Sequence, residues 1–417
     1  MAWVKVFKRD HFVNIEPGRS EIQTSDARGT SQLGLRLYNE RLVLSLIRRH
    51  GALSKIELAR LTGLSAQTVS VIVRSLAANG LVVPGEPQRG RVGQPMVPFA
   101  LQPDGAYAFG LKVGRRSGEL ILIDLAGEVR ARVSQQYDFP SPAQFMKFAL
   151  SGMEKLLKNL APLARARISG LGVAAPFDLW NWGEEVGASA KTLEKWRAFD
   201  LVAQLAKNFD FPVTPCNDAT AACAAELLFG ERPHSSDFAY FYVGYFIGGG
   251  LVLNGSLVQG RNGNAAALGS IPVPRAKGGA EQLIHSASLY SLEAAIESSG
   301  KDSAIVFKRD TDWESVGKPL DDWLLGAATG IAYAILAVVA ITECSEVVID
   351  GAMPAQVRTR LVGAVAVALA KLNQSGISKF TLNEGDMGYD ARARGAAALP
   401  LFANFIIDRD VLFKGAT

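Results

Sequence analysis

The chain has few cysteines, little net charge and no long apolar stretch, and each shortage removes a class of protein. Cys216, Cys223 and Cys344 are the only cysteines in 417 residues, an odd number without CxxC spacing. That favours a reducing compartment over a disulfide framework, so a cytoplasmic location is expected. Cys223, in an Ala-rich segment, reads as a small core residue. A formal net charge of +4 is too small for a protein that grips nucleic acid over its whole surface, so any such contact must be local. The longest apolar run, "IAYAILAVVAI" at Ile331–Ile341, is shorter than the ~20 residues that span a bilayer. It is expected to be a buried helix, with no membrane partner. The opening "MAWVKVFKRDHF" is charged and lacks the apolar core of a signal peptide. Residues 1–28 are polar and unpatterned and are expected to form a flexible tail.

What is present is the composition of a globular protein, 48% hydrophobic and 20% charged, too long for one ordinary core. Two or three domains are expected.

The stretch Ser54–Val82 carries the sharpest local pattern. Ser54 precedes Glu57 by three positions, the capping-box spacing that satisfies orphan amides at a helix start. Ile56, Leu58, Ala59 and Leu61 supply an apolar face, and Thr62-Gly63-Leu64 makes a turn. Ser65 is a second N-cap, followed by Val69, Ile72, Val73 and Leu76 at helical spacing. Two short helices joined by a glycine turn describe a helix-turn-helix, and an αα-hairpin used only for packing is the plainer alternative. The second helix, Ala66–Asn79, starts with small hydrogen-bonding side chains, which favours DNA. Ala66, Gln67, Thr68 and Ser70 are expected nearest the base edges, with Ser65 and Arg74 on phosphates.

The surroundings agree. "NERLVLSLIRRHG" (Asn39–Gly51) is an amphipathic helix ahead of the motif. Behind it, "GLVVPGEPQRGRVGQPMVPFAL" reads as strand, basic Gly/Pro loop and returning strand at Met96–Leu101. Three helices and a hairpin make a winged helix-turn-helix, with Arg89 and Arg91 on the wing tip aimed at phosphates or a minor groove. From Ser31 to Asp104 nine basic residues face four acids, a local excess of about +5 that attracts phosphate in a salt-dependent way.

"QPDG" at Gln102–Gly105 marks a domain boundary. Beyond it come three strands in succession, a helix at Pro142–Leu160, a buried strand at Ile168–Pro176, and a strand-helix unit through "CNDATAACAAELLFG". "FAYFYVGYFIGGGLVLNGSLVQG" then restarts the pattern, so two related α/β lobes with a cleft between them are expected. Asn217 and Asp218 end an apolar strand, where α/β proteins place ligand groups, and suit sugar hydroxyls. Asp218 can be a general base for one, or simply cap the following helix. Gly248-Gly249-Gly250 is expected at a strand-to-strand turn, as an anion cradle or a plain hairpin.

The winged motif together with "CNDATAACAAELLFG", "GYFIGGGLVLNGSLVQGRNGNAAALGSIPV" and "RARGAAAL" resembles the ROK (repressor, open reading frame, kinase) family, in its transcriptional-regulator branch. The resemblance runs from about Gly29 to the C-terminal end. It implies a two-lobed actin-like/hexokinase-like (ribonuclease H-like) domain, a sugar or sugar derivative in the cleft, and oligomers. The family's kinase members phosphorylate sugars with ATP. Against that pattern, the nucleotide loop Asp-x-Gly-Gly-Thr stands here as Lys112-Val113-Gly114-Arg115-Arg116, and Gly-Thr-Gly as Gly244-Tyr245-Phe246. A basic run of that kind commonly pairs with surface acids. The adenosine-side glycine run is only Gly351-Ala352. Asp218 matches the catalytic base, which the resemblance leaves vestigial. In the sugar and zinc segment, Ala267 and Ser270 replace a glutamate and a histidine, and the cysteine cluster that completes a zinc site is missing. His285 alone builds no such site, so no metal is expected, and no cofactor. Gln282 aligns with a second sugar-contacting glutamate. Trp180, Trp182 and Trp196 are either a sugar-stacking surface or core, core being the commoner use.

The resulting expectation is a sugar-responsive DNA-binding regulator, of the repressor kind, with effector contacts at Asn217, Asp218, Gly249, Asn264 and Gln282. Its partners are a double-stranded DNA operator, the effector, and further copies in a homodimer or homotetramer. Residues 29–102 form the DNA-binding domain, 103–228 with about 390–417 the first lobe, and 229–389 the second lobe with an oligomerisation surface. A sugar kinase with an attached DNA-binding domain is the alternative, and a regulator with a vestigial cleft a third reading.

Overall fold

A computed structural model describes residues 32–87, 96–137, 139, 141–176, 190–231, 234–275, 278–309 and 311–406. The expected tail at 1–28, the wing arginines Arg89 and Arg91, and Trp180 and Trp182 lie outside the described residues.

The first unit is built as its caps dictate. Helix α1 (Gln32–His50) is followed by β1 (Leu53–Ser54), α2 (Lys55–Thr62), α3 (Ala66–Ala78), β2 (Val82–Pro84) and β3 (Pro98–Leu101), with strand order β1-β3-β2. Ser54 and Glu57 form the capping box reciprocally, Gly63 ends α2 at φ 69°, and Ser65 caps α3. The two helices meet at 117°, within the range of DNA-binding helix-turn-helix pairs. Val43, Ile47, Leu58, Val69, Val73 and Leu76 close a small core. α1 begins earlier than its periodicity predicts, because Leu33 and Leu35 are exposed and carry no amphipathic signal.

Two five-stranded sheets follow with the same strand order. In the first, β4 (Tyr107–Val113), β5 (Ser117–Asp124) and β6 (Val129–Gln136) run antiparallel, and β7 (Ile168–Ala175) and β8 (Val213–Asn217) join parallel, giving β6-β5-β4-β7-β8. Helices α4 (Pro142–Lys158), α5 (Ala190–Arg197) and α6 (Leu201–Ala206) contribute to this lobe, and α7 (Asp218–Phe229) leaves it. The second sheet begins with β9 (Phe238–Val243), β10 (Ile247–Leu253) and β11 (Ser256–Leu257), and a hairpin of β12 (Pro272–Pro274) and β13 (Ala280–Gln282) leads to α8 (Leu283–Ala287) and α9 (Leu289–Ser298). Then come α10 (Lys318–Thr342), β14 (Glu346–Gly351), α11 (Ala355–Ala370), β15 (Thr381–Glu384) and α12 (Ala391–Phe405). The order β11-β10-β9-β14-β15 repeats the first lobe strand for strand, so the chain is a winged helix-turn-helix ahead of a duplicated actin-like/hexokinase-like α/β body.

α10 is, at 25 residues, long and apolar enough to cross a bilayer, which the eleven-residue run inside it did not foretell. Leu320, Trp323, Ile331 and Ile335 bury one face of it in the second lobe, while Leu325, Tyr333 and Ile341 stay exposed.

Two helices bind the lobes together. α12 returns to the first sheet, and α7 lies against it so closely that a Cβ on Gly395 would fall 1.6 Å from the Ala221 carbonyl oxygen. Glycine at Gly172 likewise lets the sheet meet α12, where a Cβ would fall 1.8 Å from the Ala396 carbonyl oxygen.

Candidate functional site

On the DNA-binding unit, α3 presents Ala66, Gln67, Val71 and Arg74 to solvent while Val69, Ile72, Val73 and Leu76 face inward. Ser65 is spent locally, its Oγ accepting from the Thr68 amide at 3.1 Å and lying 2.8 Å from Thr68 Oγ1. Ser70 Oγ accepts from Lys55 Nζ at 3.3 Å. Gln67, Val71 and Arg74 therefore share one exposed ridge at helical spacing. Sequence reasoning missed Val71, which is 55% exposed; its spacing of four from Gln67 was the available signal. Its methyls suit a thymine methyl group. Arg60 adds an exposed cation from α2.

Between the lobes are two neighbouring cavities that share Gly114, Arg115, Tyr245 and Arg392 in their linings. The smaller, about 150 Å³, is lined by Asn217, Asp218, Gly249 and Asn264 together with Tyr242, Ser270 and Arg392. Four of the five expected effector residues meet here. Gln282 does not: it is exposed at the end of β13, paired with Pro272, away from the cavity. The alignment of a gapped segment put it there, and the β12–β13 hairpin carries it elsewhere.

The helix cap is Asn217, not Asp218. Asn217 Oδ1 accepts from the amides of Ala219 at 3.0 Å and Thr220 at 3.2 Å. Asp218, the first residue of α7, receives Arg392 Nη1 on Oδ2 at 3.2 Å. The carboxylate that would take a proton from a hydroxyl is thus held by a guanidinium.

The glycine triplet is not a turn. Gly248, Gly249 and Gly250 lie inside β10, opposite Tyr242, Phe241 and Tyr240, and the chain reverses at Gly244-Tyr245-Phe246. The glycines serve close packing: a Cβ on Gly250 would fall 2.2 Å from Cys223 Cβ and one on Gly248 2.6 Å from Ala219 Cβ. Cys223 is buried there as the expected small core residue. Trp196 is also core, 5% exposed, with Phe145 and Phe199 against its ring at 6.0 and 6.2 Å.

The larger cavity, about 1090 Å³, adjoins the Lys112–Arg116 segment, and its lining carries more basic than acidic side chains, the acids being Glu119, Glu293, Glu297 and Asp302. Lys112, Arg115, Arg116, Arg132, Arg309 and Arg392 all reach it. Lys112 and Arg115 are each only 7% exposed, so the basic run does not sit on the surface as such runs commonly do. The Arg115 guanidinium lies over the Tyr245 ring at 3.9 Å, and Arg116 Nη2 reaches Glu293 of the second lobe at 3.2 Å. Tyr245 in turn donates to Glu293 Oε2 at 2.8 Å. This contact fastens lobe to lobe where a flexible phosphate loop would open. Lys112 supplies an ammonium where a magnesium-bound nucleotide calls for a carboxylate, so these residues do not fit that group.

Comparison with known proteins follows the same division. A model described as the ROK family matches residues 108–401, and one described as the MarR family matches residues 37–91. An uncharacterized protein, y4fQ, of Sinorhizobium fredii (strain NBRC 101917 / NGR234) is 25% identical over 376 residues, 88% of this chain and 91% of its own length. The xylose repressor of Bacillus spizizenii (strain ATCC 23059 / NRRL B-14472 / W23) is 25% identical over 235 residues, 56% of this chain and 60% of its own length. The alignment thus spans about three fifths of that repressor's length. Among solved structures, a ROK family transcriptional regulator described as a homolog of the E. coli MLC protein superposes with a TM-score of 0.64 at 20% identity, covering 92% of this chain and all of that one. At that identity the likeness speaks for the fold.

Proposed function

This chain belongs to the ROK family, and from that premise we propose that it is a DNA-binding transcription regulator, of the repressor kind, governed by a sugar or sugar derivative between its lobes. On this reading α3 enters the major groove with Gln67 and Val71 facing base edges and Arg74 on phosphate, while Arg89 and Arg91, outside the described residues, are proposed for backbone or minor-groove contact.

The observation that carries it is the path between the two sites. α7 and α12 both start at the cleft, where Asp218 and Arg392 pair. They run ~18 and ~22 Å and finish beneath α1. There Arg48 donates to the Leu228 carbonyl, and Arg41 Nη2 to the Ala403 carbonyl at 2.7 Å. Phe405 completes the same junction by packing on the core of the DNA-binding unit. A ligand with unequal affinity for two lobe arrangements would shift those helix ends, and the DNA-binding unit with them.

One recognition helix binds weakly alone, so a homodimer or homotetramer reading a pseudo-palindrome follows. The exposed Leu325, Tyr333 and Ile341 support assembly through the second lobe. The working division is residues 29–102 for DNA, 103–228 with about 390–417 for the first lobe, and 229–389 for the second. Such a regulator acts in the cytoplasm without a membrane partner.

A sugar kinase with an added DNA-binding domain is the second reading, favoured by the retained Asp218 and the large cleft. The pairing of Asp218 with Arg392 and the cations at Lys112 and Arg115 weigh against it. ATP-dependent phosphoryl transfer to a panel of sugars decides: none above the protein-free blank is expected. Transfer that Asp218→Asn abolishes would make the chain an enzyme.

A further inference from the structure

Apart from the exposed Lys308, the cations of the larger cavity divide into two groups. Arg132 is held by Glu119 at 2.5 Å and Asp390 at 2.7 Å, and Arg309 by the same two carboxylates at 3.2 and 2.7 Å. Arg116 is held by Glu293, and Arg392 by Asp218, each at 3.2 Å. Lys112 and Arg115 are different: among the described residues no carboxylate pairs with either. Lys112 Nζ reaches only Ser117 Oγ, at 3.2 Å, and Arg115 Nε and Nη1 have no hydrogen-bond partner. Both side chains are more than nine-tenths buried.

Glu119 and Asp218 act on Lys112 and Glu293 on Arg115 only from beyond ion-pair distance, so burial of the two cations stays costly and an anion brought into direct contact recovers part of that cost. Position then limits what the anion belongs to. Arg115 lines both cavities, as do Gly114, Tyr245 and Arg392, so it borders the small polar pocket and the larger cleft alike. The small pocket offers donors and acceptors for hydroxyls, at Asn217, Asp218, Asn264 and Ser270.

We infer that the cleft takes an anionic polyhydroxy ligand, with its hydroxyls beside Asn217, Asp218 and Asn264 and its acid group against Arg115 and Lys112. This rests on the reading of the cleft as the effector site and names the effector's class: a sugar or polyol bearing a phosphate or a carboxylate. A neutral sugar would bring neither cation a carboxylate or phosphate, leaving Lys112 on Ser117 Oγ and Arg115 on Tyr245. Burial, with Arg392 adding to it, lowers the Lys112 ammonium to about 7, and a bound anion would draw it back toward the charged form.

The test is calorimetric titration of the full chain with neutral pentoses and hexoses, their phosphates, their sugar acids, and inorganic phosphate. At least one acid-bearing sugar is expected to bind about tenfold or more tightly than its neutral parent, the range of a charge-assisted hydrogen bond. Whether the phosphates or the sugar acids win identifies the acid. Arg115→Gln and Lys112→Met should each lower the ratio of acid to neutral-parent affinity toward one, while Arg115→Lys keeps part of it. Should Arg115→Gln fail to fold, Lys112→Met carries the comparison. Neutral sugars binding as tightly as their acids would overturn the inference and leave the effector reading standing. Binding of no panel member would overturn both. Inorganic phosphate bound as tightly as every sugar derivative would remove the polyhydroxy half.

Discussion

Arg48 donates a hydrogen bond to the carbonyl of Leu228, tying the first helix of the DNA-binding unit to the far end of the helix that Asp218 begins. Burial, and then the neighbouring Arg49, lowers the Arg48 pKa to about 10, still far above neutral, so the bond stays charge-assisted. Arg48→Met removes the donor while keeping the apolar stem. It should loosen the docking by about 1–3 kcal/mol. Amide exchange across Gln32–Ala78 would then quicken roughly ten- to a hundredfold, with β4 and β9 unaffected. Equal quickening everywhere, or none, would remove this junction from the account.

The recognition helix makes a separable pair of predictions. Gln67→Ala should relax sequence preference at one base position, worth about 1–3 kcal/mol. Arg74→Ala should weaken all duplexes alike and lower the salt slope by about one unit. Competition binding against single-base operator variants at several salt concentrations reads both.

The capping box gives a stability prediction. Ser54 and Glu57 satisfy each other's backbone amides, at 3.3 Å from Glu57 N to Ser54 Oγ and 2.8 Å from Ser54 N to Glu57 Oε2. Ser54→Ala should cost about 1 kcal/mol, seen as a lower urea midpoint for the DNA-binding unit with an unchanged slope.

A buried triad at the lobe junction sets a pH dependence. His234, with its side chain 5% exposed, lies 3.1 Å from Glu226 and 3.0 Å from Glu346. Burial alone would lower its pKa, but the hydrogen bonds to Glu226 and Glu346 outweigh burial and hold it at about 9. A pKa raised on folding stabilises fully below the unfolded value near 6.5 and loses that contribution as pH climbs through about 9. Burial would likewise raise Glu346, yet His234, the Ser235 amide and Asn383 bring it to about 2. Its contribution is therefore present above about 4.5 and lost as pH falls toward about 2. Lys112, whose pKa is lowered on folding, works in the opposite direction above pH 7, so the comparison isolates the triad: in chemical denaturation from pH 6 to 9.5, the stability advantage of the parent chain over His234→Gln should shrink as pH rises.

What the amino-acid order disclosed was local. Ser54, Glu57, Gly63 and Ser65 act within one or two turns of themselves, so their spacing alone placed α2 and α3. The Asn217-Asp218 step and Asn264 reached the cleft because strand ends and the loop after β11 lead there. The misreadings involve partners far along the chain. Gly248–Gly250 looked like a turn, since nothing nearby reveals that Cys223 and Ala219 of α7 press against that strand. Gln282 was displaced by a hairpin whose register depends on Pro272. The burial of Arg115 involves Tyr245 of the second lobe, more than a hundred residues away.

Selection of duplexes from a randomised pool by the full chain, followed by binding of the enriched sequence with and without the cleft's ligand, tests the central claim most directly. A pseudo-palindromic site is expected, its preference relaxed at one position by Gln67→Ala and its binding weakened by Arg74→Ala, with an affinity that changes when the cleft fills. A pool that never enriches, or an enriched site indifferent both to α3 substitutions and to every ligand that binds the cleft, would contradict it.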